Sequence, residues 1–397
     1  MEEFGYLENK GDLRVLMLGG RRCGKTALLA SMFESIVNGI AKNYFKLADA
    51  TTLKTKGIEI QDSLNGKTAE LKDLLAKSST STFLVDQQPT NQWWDYRLKI
   101  KIGDREMFIN FRDVPGEFCR KGNEHETEVA EYVSQCDVFV IAIDTPYLME
   151  SAKPNNRLCN DGINDVVNRV PDIQQYLTCI KDNEGKDSKM VIFCPVKCEK
   201  WFKEGRIDEV NERLLQVYDT CITNLKGYQK MDISIIPVLT AGNIEFVEQK
   251  EAFVLMPKSG IGKPKRCCQQ SSKFLRLADG SQYMIKEGDI VNEDNDAVIS
   301  GTTLVRPYSW FKILFNIDKN KDGYKPVNCE QIPLHIIRFM LVKRENEKRF
   351  WEKVKTWFGT VFGTIDPDEL KNIIIEMQKA GVIKDNEDGI VHVKKAY

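Results

Sequence analysis

Apolar positions along the chain fall into short continuous runs that are separated by segments of helical periodicity. The runs that predict strands buried on both faces are 13–18, 138–143, 190–195 and 235–239. The helical segments between them include 27–33 and 208–224. Because strand, loop and helix alternate, the pattern predicts an α/β fold. We expect a mostly parallel sheet with helices on both faces and a ligand at the carboxyl edge of the strands.

Strict alternation of polar and apolar positions marks a different kind of element. Residues 96–102 alternate, a turn follows at Gly103-Asp104, and the alternation resumes at 107–111. This period and turn chemistry predict a β-hairpin.

The pattern changes again at about residue 250. Short strand-like pieces between Gly-rich and Lys-rich loops predict a β-rich insertion at about 250–303, within a domain that spans 11–317. We expect a helix around 308–315 to close that domain. Residues 324–397 predict a C-terminal helical region that ends in a helix and a two-strand hairpin, similar to the end of a winged-helix module.

Composition narrows the classes of protein. Hydrophobic residues make up 42% and charged residues 29%, and the net charge is −1, so no overall field attracts nucleic acid. No apolar stretch approaches the roughly 18 residues of a transmembrane segment. The 11 cysteines contain no C-x-x-C pair, which is typical of reduced thiols. We therefore expect a cytoplasmic protein with no transmembrane segment and no nucleic-acid partner.

The strongest chemical signal follows the first predicted strand, where the chain fits G-x-x-x-x-G-K-[ST] and then enters a helix. Its glycines let backbone N–H groups face an anion. Lys25 would contact the β- and γ-phosphates, and the Thr26 hydroxyl would bind Mg²⁺. A glycine-rich turn without a ligand is the structural alternative. The predicted nucleotide-binding residues of this loop are Gly19, Gly20, Arg21, Arg22, Cys23, Gly24, Lys25, Thr26 and Ala27.

A second phosphate-binding element is predicted where the hairpin ends, at Asp113-Val114-Pro115-Gly116-Glu117. In a D-x-x-G element, Asp113 would hold the Mg²⁺ shell through water, and the Gly116 N–H would contact the γ-phosphate. The motif is short, so an ordinary acid-plus-glycine turn is the alternative. Its position directly after the hairpin favours the phosphate site.

Two more elements follow later strands, at 196–199 and 240–242. Taken in order, the four elements resemble those of P-loop GTPases of the translation-factor and Ras-like (TRAFAC) division. The Asp-x-Pro-Gly-Glu form of the second element is similar to the prokaryotic double-GTPases and their YcjX-like relatives. The resemblance covers about residues 11–317. It implies a Ras-like G domain that binds GTP or GDP with Mg²⁺.

The resemblance also implies how the base would be read. In this family the fourth element is N/T-K-x-D, whose acid accepts two hydrogen bonds from guanine. Here Val196 replaces Asn or Thr, and Glu199 replaces Asp. Glu199 can still accept both bonds, Lys197 can lie along the base, and the N–H of Ala241, after Thr240, would reach the guanine oxygen. These departures leave adenine as the alternative base and a charged loop as the structural alternative.

Hydrolysis would depend on the residue after the D-x-x-G, where related GTPases commonly carry glutamine. This chain has Glu117, which can accept a proton from water but needs a cation to offset its charge beside a triphosphate. Arg22 stands where guanylate-binding GTPases carry an internal arginine finger, and Arg21 is the second choice. The predicted catalytic residues are therefore Glu117, Arg22 and Lys25. A solvated loop arginine, or an ion pair between Arg22 and Glu117, is the structural alternative.

The resemblance also implies a threonine that binds Mg²⁺ in the first switch, the segment between the first helix and the hairpin. Thr90 precedes the hairpin as a Pro-Thr does in Ras-like proteins, and Thr82 is the alternative. The predicted metal ligands are thus Thr26, Thr90 and Asp113.

Together these features predict a GTP-hydrolysing switch that passes its state to protein partners through the β insertion and the C-terminal region. A nucleotide-dependent dimer would supply further charge to the site. A nucleotide-binding scaffold with little hydrolysis, and an ATPase, are the alternatives.

Overall fold

The structure is a computed structural model of the 397-residue chain. It describes residues 13–21, 23–38, 46–52, 69, 82–83, 93–102, 105–150, 161–182, 189–227, 231–242, 244–257, 265–270, 274–277, 282–284, 297–298, 303–308, 310–317, 324–342, 375–376, 378–381, 384, 386–387 and 390–391.

The chain divides into two compact units. The first unit contains residues 1–76, 88–242 and 322–397, and the second contains 77–87 and 243–321. The insertion predicted at about 250–303 falls within the second unit, which starts earlier and ends later than that prediction.

Each element is named here in chain order. The described strands are β1 (Leu13–Leu18), β2 (Lys46–Thr52), β3 (Thr82–Phe83), β4 (Trp94–Ile102), β5 (Arg105–Asp113), β6 (Val138–Asp144), β7 (Lys189–Val196), β8 (Met231–Ile235), β9 (Ile244–Pro257), β10 (Lys265–Gln270), β11 (Phe274–Leu277), β12 (Gln282–Met284), β13 (Ala297–Val298), β14 (Thr303–Tyr308), β15 (Trp310–Ile317), β16 (Asn386–Glu387) and β17 (Ile390–Val391). The described helices are α1 (Lys25–Asn38), α2 (Glu126–Gln135), α3 (Thr145–Glu150), α4 (Asp161–Asn168), α5 (Val170–Asp182), α6 (Glu199–Lys203), α7 (Ile207–Val217), α8 (Asp219–Lys226) and α9 (Gln331–Val342).

The first unit is built on a mixed sheet whose described strands run in the order β16-β17-β8-β7-β6-β1-β5-β4-β2. From β17 to β5 all neighbours pair in parallel. Every residue of β6 is buried, as is β7 after its first residue, so both faces of the sheet centre are covered. This confirms the predicted α/β fold with a mostly parallel sheet, because continuous apolar runs are stable only where both faces are packed.

The predicted hairpin is also confirmed. Strands β4 and β5 are antiparallel, with Trp94 opposite Asp113 and Ile102 opposite Arg105. Since β5 also pairs in parallel with β1, the hairpin places Asp113 beside Met17, next to the start of the phosphate-binding loop.

The C-terminal region contributes to the core of this unit. Helix α9 lies in the predicted C-terminal helical region and buries apolar side chains in the same cluster as β1, α1 and β7. The short hairpin of β16 and β17 adds to the main sheet, with Ile390 opposite Ile235 of β8. The buried members of α9 are Ile332, Leu334, Ile336, Ile337 and Phe339.

The second unit contains an antiparallel sheet organised around the long strand β9. The prediction of a closing helix at 308–315 was wrong, because Trp310–Ile317 forms β15 and pairs with β9. A short apolar run has no strong helical or strand period of its own, so pairing with a distant strand decides its structure.

Among the described helices, none combines the length and the hydropathy that a membrane crossing requires.

Candidate phosphate and nucleotide site

The loop after β1 has the backbone that its glycines predict. Gly19 has a φ of +146° and Gly24 a φ of +108°, both in the region that disfavours residues with a Cβ. A Cβ at Gly19 would lie 2.6 Å from the Ala142 carbonyl oxygen. Larger residues at these two positions would therefore push the loop away from β6 or change its curl.

Lys25 lies in the first turn of α1 and is buried with its ammonium against the loop. Its Nζ donates hydrogen bonds of 3.0 Å to the carbonyl oxygens of Gly19 and Gly20. Burial alone would lower the pKa of Lys25, but nearby Cys23 and Asp113 raise it above its usual value. The ammonium therefore stays charged, which binding of a phosphate requires.

Thr26 and Asp113, two predicted metal ligands, are in direct contact. The Thr26 hydroxyl donates to Asp113 Oδ2 at 2.6 Å, and the Asp113 side chain is fully buried. Its Oδ1 is also buried and finds no hydrogen-bond partner among the described residues. Burial raises the pKa of Asp113, while Lys25 and the Thr26 hydroxyl oppose that rise. A hydroxyl next to a carboxylate oxygen is a donor set that fits Mg²⁺.

The second element lies directly on the phosphate loop. A Cβ at Gly116 would approach the Arg21 amide nitrogen to 2.2 Å and the Gly20 carbonyl carbon to 2.4 Å. The two elements that the sequence separates by almost ninety positions thus share one surface, and Gly116 permits their close approach.

Glu117 forms ion pairs with two arginines. Its Oε1 lies 3.1 Å from Nη1 of Arg21, and its Oε2 lies 3.7 Å from Nη2 of Arg169. Arg21, the second choice for an arginine finger, is thus paired with Glu117 in this structure, and its role toward the phosphates stays a prediction. Arg22 and Thr90 lie outside the described residues, and Thr82 belongs to strand β3 of the second unit.

Sequence reasoning missed Arg169 and the residues that hold it. Asn168 precedes it, and its Oδ1 accepts the Asp144 N–H at 2.7 Å. Its Nδ2 donates to the Asp144 carbonyl at 3.3 Å and to Asn164 Oδ1 at 2.8 Å. The spacing of Asn164 and Asn168, one helical turn apart, was the available signal. No motif marks Arg169 itself.

The fourth element, at 196–199, lies close to the phosphate loop, where Lys197 makes the contacts. The Lys197 ammonium forms an ion pair with Asp144, and its Cε would lie 3.7 Å from a Cβ at Gly24. Lys197 has a φ of 60°, an uncommon backbone for a residue with a side chain. The Lys197 stem therefore runs beside the phosphate loop, and its predicted position along the base stays a prediction.

Glu199 is buried and binds the fifth element. Its Oε1 accepts N–H groups of Ala241 at 3.0 Å and Gly242 at 3.2 Å. Burial raises the pKa of Glu199, and these backbone hydrogen bonds oppose the rise. In this structure the N–H predicted to reach guanine is thus donated to Glu199, so the roles of both residues in reading a base stay predictions.

The fifth element is also held from the other side. The Ser31 hydroxyl donates to the Thr240 carbonyl at 2.7 Å, and its oxygen lies 2.6 Å from the Tyr324 hydroxyl. A Cβ at Gly242 would meet the Lys325 carbonyl oxygen at 2.0 Å. The segment that follows the second unit therefore fixes the loop that would contact the base.

Comparison with solved structures finds matches of low identity and low TM-score. The GTPase-like domain of S. cerevisiae Ski7 bound to GTP has 12% identity and a TM-score of 0.32, covering 81% of this chain and 74% of that one. The same domain with GDP and inorganic phosphate gives 11% and 0.31, with the same coverage. Sup35 complexed with GDP gives 10% and 0.26, covering 81% of this chain and 70% of that one. The curated proteins gave no match.

Comparison with protein families identifies one match. The family model described as Double-GTPase 2 matches residues 14–243, which is more than half of the chain. This range contains the phosphate loop, the D-x-x-G element and the fourth and fifth elements. It confirms the resemblance to double-GTPases drawn from the sequence. The chain belongs to the Double-GTPase 2 family.

Proposed function

We propose that this protein binds GTP with Mg²⁺ and hydrolyses it to GDP and phosphate. The observation that carries the proposal is the contact between Thr26 and Asp113, in which one buried carboxylate oxygen accepts the hydroxyl and the other has no hydrogen-bond partner among the described residues. A buried carboxylate oxygen without a hydrogen-bond partner is costly, so a cation at this position would explain it.

Each residue then has a separate task. Thr26 and Asp113 would hold Mg²⁺, which when bound neutralises charge on the phosphates. Lys25 binds the β- and γ-phosphate oxygens, and the Gly116 N–H binds the γ-phosphate. The arginine finger predicted at Arg22 stays part of the proposal, as does Thr90 as a further Mg²⁺ ligand.

In the chemical step, a water oxygen forms a bond to the γ-phosphorus while the bond from that phosphorus to the bridging oxygen breaks. GDP leaves with the electron pair of that bond, and the Glu117 carboxylate accepts the proton of the water. Positioning and charge stabilisation supply most of the catalysis in such reactions.

Selection of guanine rests on Glu199, Lys197 and Ala241, with support from membership of a GTPase family. Glu199 would have to share its carboxylate between the base and the two backbone N–H groups it already accepts. Burial raises the pKa of Glu199, and the N–H groups of guanine would oppose that rise by stabilising the charged form.

A switch function is supported by an aromatic cluster that links the start of the hairpin to the segment after D-x-x-G. The Trp93 ring lies 5.4 Å from Phe118 and 4.9 Å from Tyr132 of α2. The Arg112 guanidinium stands 4.1 Å over the Tyr132 ring and pairs with Asp95. A shift at the γ-phosphate would thus be passed to α2 by packed side chains.

Protein partners would then read that state through the β-rich second unit and the C-terminal region, with a nucleotide-dependent dimer as one arrangement. The cytoplasm is the proposed location. All seven cysteines whose side chains the structure describes are free thiols, which suits a reducing compartment.

A scaffold that binds nucleotide with little hydrolysis is the second candidate. It is favoured by the ion pair between Glu117 and Arg21, since a carboxylate oxygen that accepts a hydrogen bond from Arg21 at 3.1 Å is less free to take a proton from water.

The first experiment measures Mg²⁺-dependent binding of fluorescent GTP and ATP analogues and then phosphate release. Asp113→Asn and Thr26→Ala should lose the Mg²⁺-dependent part of the affinity. Thr178→Ala is the control for Thr26→Ala, because it replaces an exposed threonine on helix α5, and it should bind the nucleotide as the native protein does.

The outcomes separate the candidates. GTP preference with steady phosphate release supports the proposed function. Binding without release supports the scaffold, and equal or better binding of ATP means that the guanine assignment is wrong. If Asp113→Asn keeps full Mg²⁺ dependence, the proposed metal site is wrong.

A further inference from the structure

The turn between α4 and α5 has an unusual backbone at the edge of the phosphate loop. Arg169 lies there with a φ of 55°, in the left-handed region that a side chain disfavours. Such a conformation persists where surrounding contacts determine it, and it is concentrated at functional sites.

Those contacts can be named. Asn168 binds the backbone of Asp144 at the end of β6 through both its amide oxygen and its amide nitrogen. On the other side, a Cβ at Gly20 would lie 1.7 Å from the Val167 carbonyl oxygen, so the turn is packed directly against the phosphate loop. The backbone of Arg169 is therefore fixed relative to both β6 and the loop.

The Arg169 side chain is similarly restrained. It is 17% exposed, against 38% for Arg21, and its Nη1 lies 3.9 Å from Asp172 Oδ2. Asp172 in turn accepts the Lys121 N–H at 3.1 Å, from the segment that follows Glu117. Arg169 Nε is buried, and no described residue gives it a hydrogen-bond partner. Arg169 is thus a pre-oriented cation with Glu117 at its tip.

We propose that Arg169 is the residue that positions Glu117 for water activation. This inference rests on the proposed GTP hydrolysis and assigns to that reaction a residue outside the four nucleotide-binding elements. Arg169 acts through Glu117 and does not contact the nucleotide.

The physical reason is charge. A carboxylate beside a triphosphate is repelled, and an exposed glutamate loses side-chain freedom when it is held in one orientation. A guanidinium held beside Glu117 by its own fixed backbone offsets both effects, because it attracts one carboxylate oxygen and restricts the orientation of the side chain. Arg21 belongs to the phosphate loop and is more exposed, so it is less suited to fix the direction of the carboxylate.

The test measures GTP turnover of the full chain in a double-mutant cycle between Arg169 and Glu117. Arg169→Asn removes the guanidinium, and asparagine tolerates the left-handed backbone. Arg169→Lys keeps the charge without the planar fork. Arg206→Ala is the matched control, because it removes an exposed arginine that is paired with Glu204 and Glu209 on the α6–α7 segment.

Arg169→Asn should lower kcat roughly 10- to 100-fold with little change in the KM for GTP. Arg169→Lys should recover part of that loss, and Arg206→Ala should match the native protein. In a Glu117→Gln background, Arg169→Asn should have no further effect on kcat.

Three other results would overturn the inference. An unchanged kcat in Arg169→Asn means that Arg169 positions nothing. A full loss that persists in the Glu117→Gln background means that Arg169 acts on the nucleotide directly. A raised KM with native kcat assigns it to binding. If the native chain binds GTP without turnover, the proposed hydrolysis fails and this inference fails with it, a result distinct from the first three.

Discussion

Asn168→Ala tests whether one buried amide holds the end of β6 and the turn beside the phosphate loop. Asn168 is fully buried and makes three hydrogen bonds, with the Asp144 N–H, the Asp144 carbonyl and Asn164 Oδ1. Alanine removes all three and leaves the Asp144 N–H buried without this partner. The native backbone of the turn would then be determined by fewer contacts.

The size of the effect follows from those bonds. A buried donor left unsatisfied costs about 1–3 kcal/mol, and each further lost hydrogen bond costs about 1 kcal/mol. The longest of the three, at 3.3 Å, contributes least. We therefore expect Asn168→Ala to lower the free energy of unfolding of the first unit by about 2–4 kcal/mol.

The assay is chemical denaturation followed by circular dichroism, with the shift in midpoint converted by a common slope. Asn211→Ala is the matched control. Asn211 is also buried, at 3% exposure, but its Oδ1 has no hydrogen-bond partner among the described residues. Asn211→Ala should lower the free energy of unfolding by about 1 kcal/mol or less. Equal losses in the two variants would refute the reasoning, because packing rather than hydrogen bonding would then account for both.

Three further predictions concern other parts of the first unit. Gly20→Ala should destabilise the fold and weaken GTP binding, because its Cβ would lie 1.7 Å from a backbone oxygen. Gly122→Ala is the comparison, since a Cβ at Gly122 meets no described atom within 4 Å. Equal nucleotide affinity in the two variants would contradict this prediction. Burial lowers the pKa of His335 to about 4 from 6.5, so between these values the unfolded chain binds a proton that the folded chain does not. Stability should therefore fall with decreasing pH in that window by up to about 3 kcal/mol, and the fall measured by denaturation should be smaller in His335→Gln. Trp93 emission should change between GDP and a non-hydrolysable GTP analogue, and Trp93→Phe should lose that change; if the signal persists, it comes from another tryptophan.

Much of the first unit was predictable because its signals are local. The continuous apolar runs at β1, β6 and β7 indicate strands buried on both faces, and these strands form the sheet centre. The phosphate loop is a contiguous motif whose glycines directly determine its backbone. The hairpin of β4 and β5 is encoded by alternation and a turn, both of which depend on neighbouring residues.

Other features depended on distant pairing. The apolar run at 310–317 suits a helix or a strand, and pairing with β9 made it a strand. The last hairpin was predicted as a local unit, but its strand β17 joins the main sheet beside β8. The pattern of apolar residues predicts which residues are buried, but it does not predict which surface of the protein covers them.

The sequence by itself determined the class of fold, the phosphate loop with Lys25 and Thr26, and the family resemblance. These depend on residue types at fixed short spacings, and the chain carries that information directly. Only the tertiary structure decided that Arg169 reaches Glu117, or that Glu199 binds the Ala241 N–H. Both contacts join segments more than forty positions apart, and such contacts exist only after the sheet has brought the ends of its strands together.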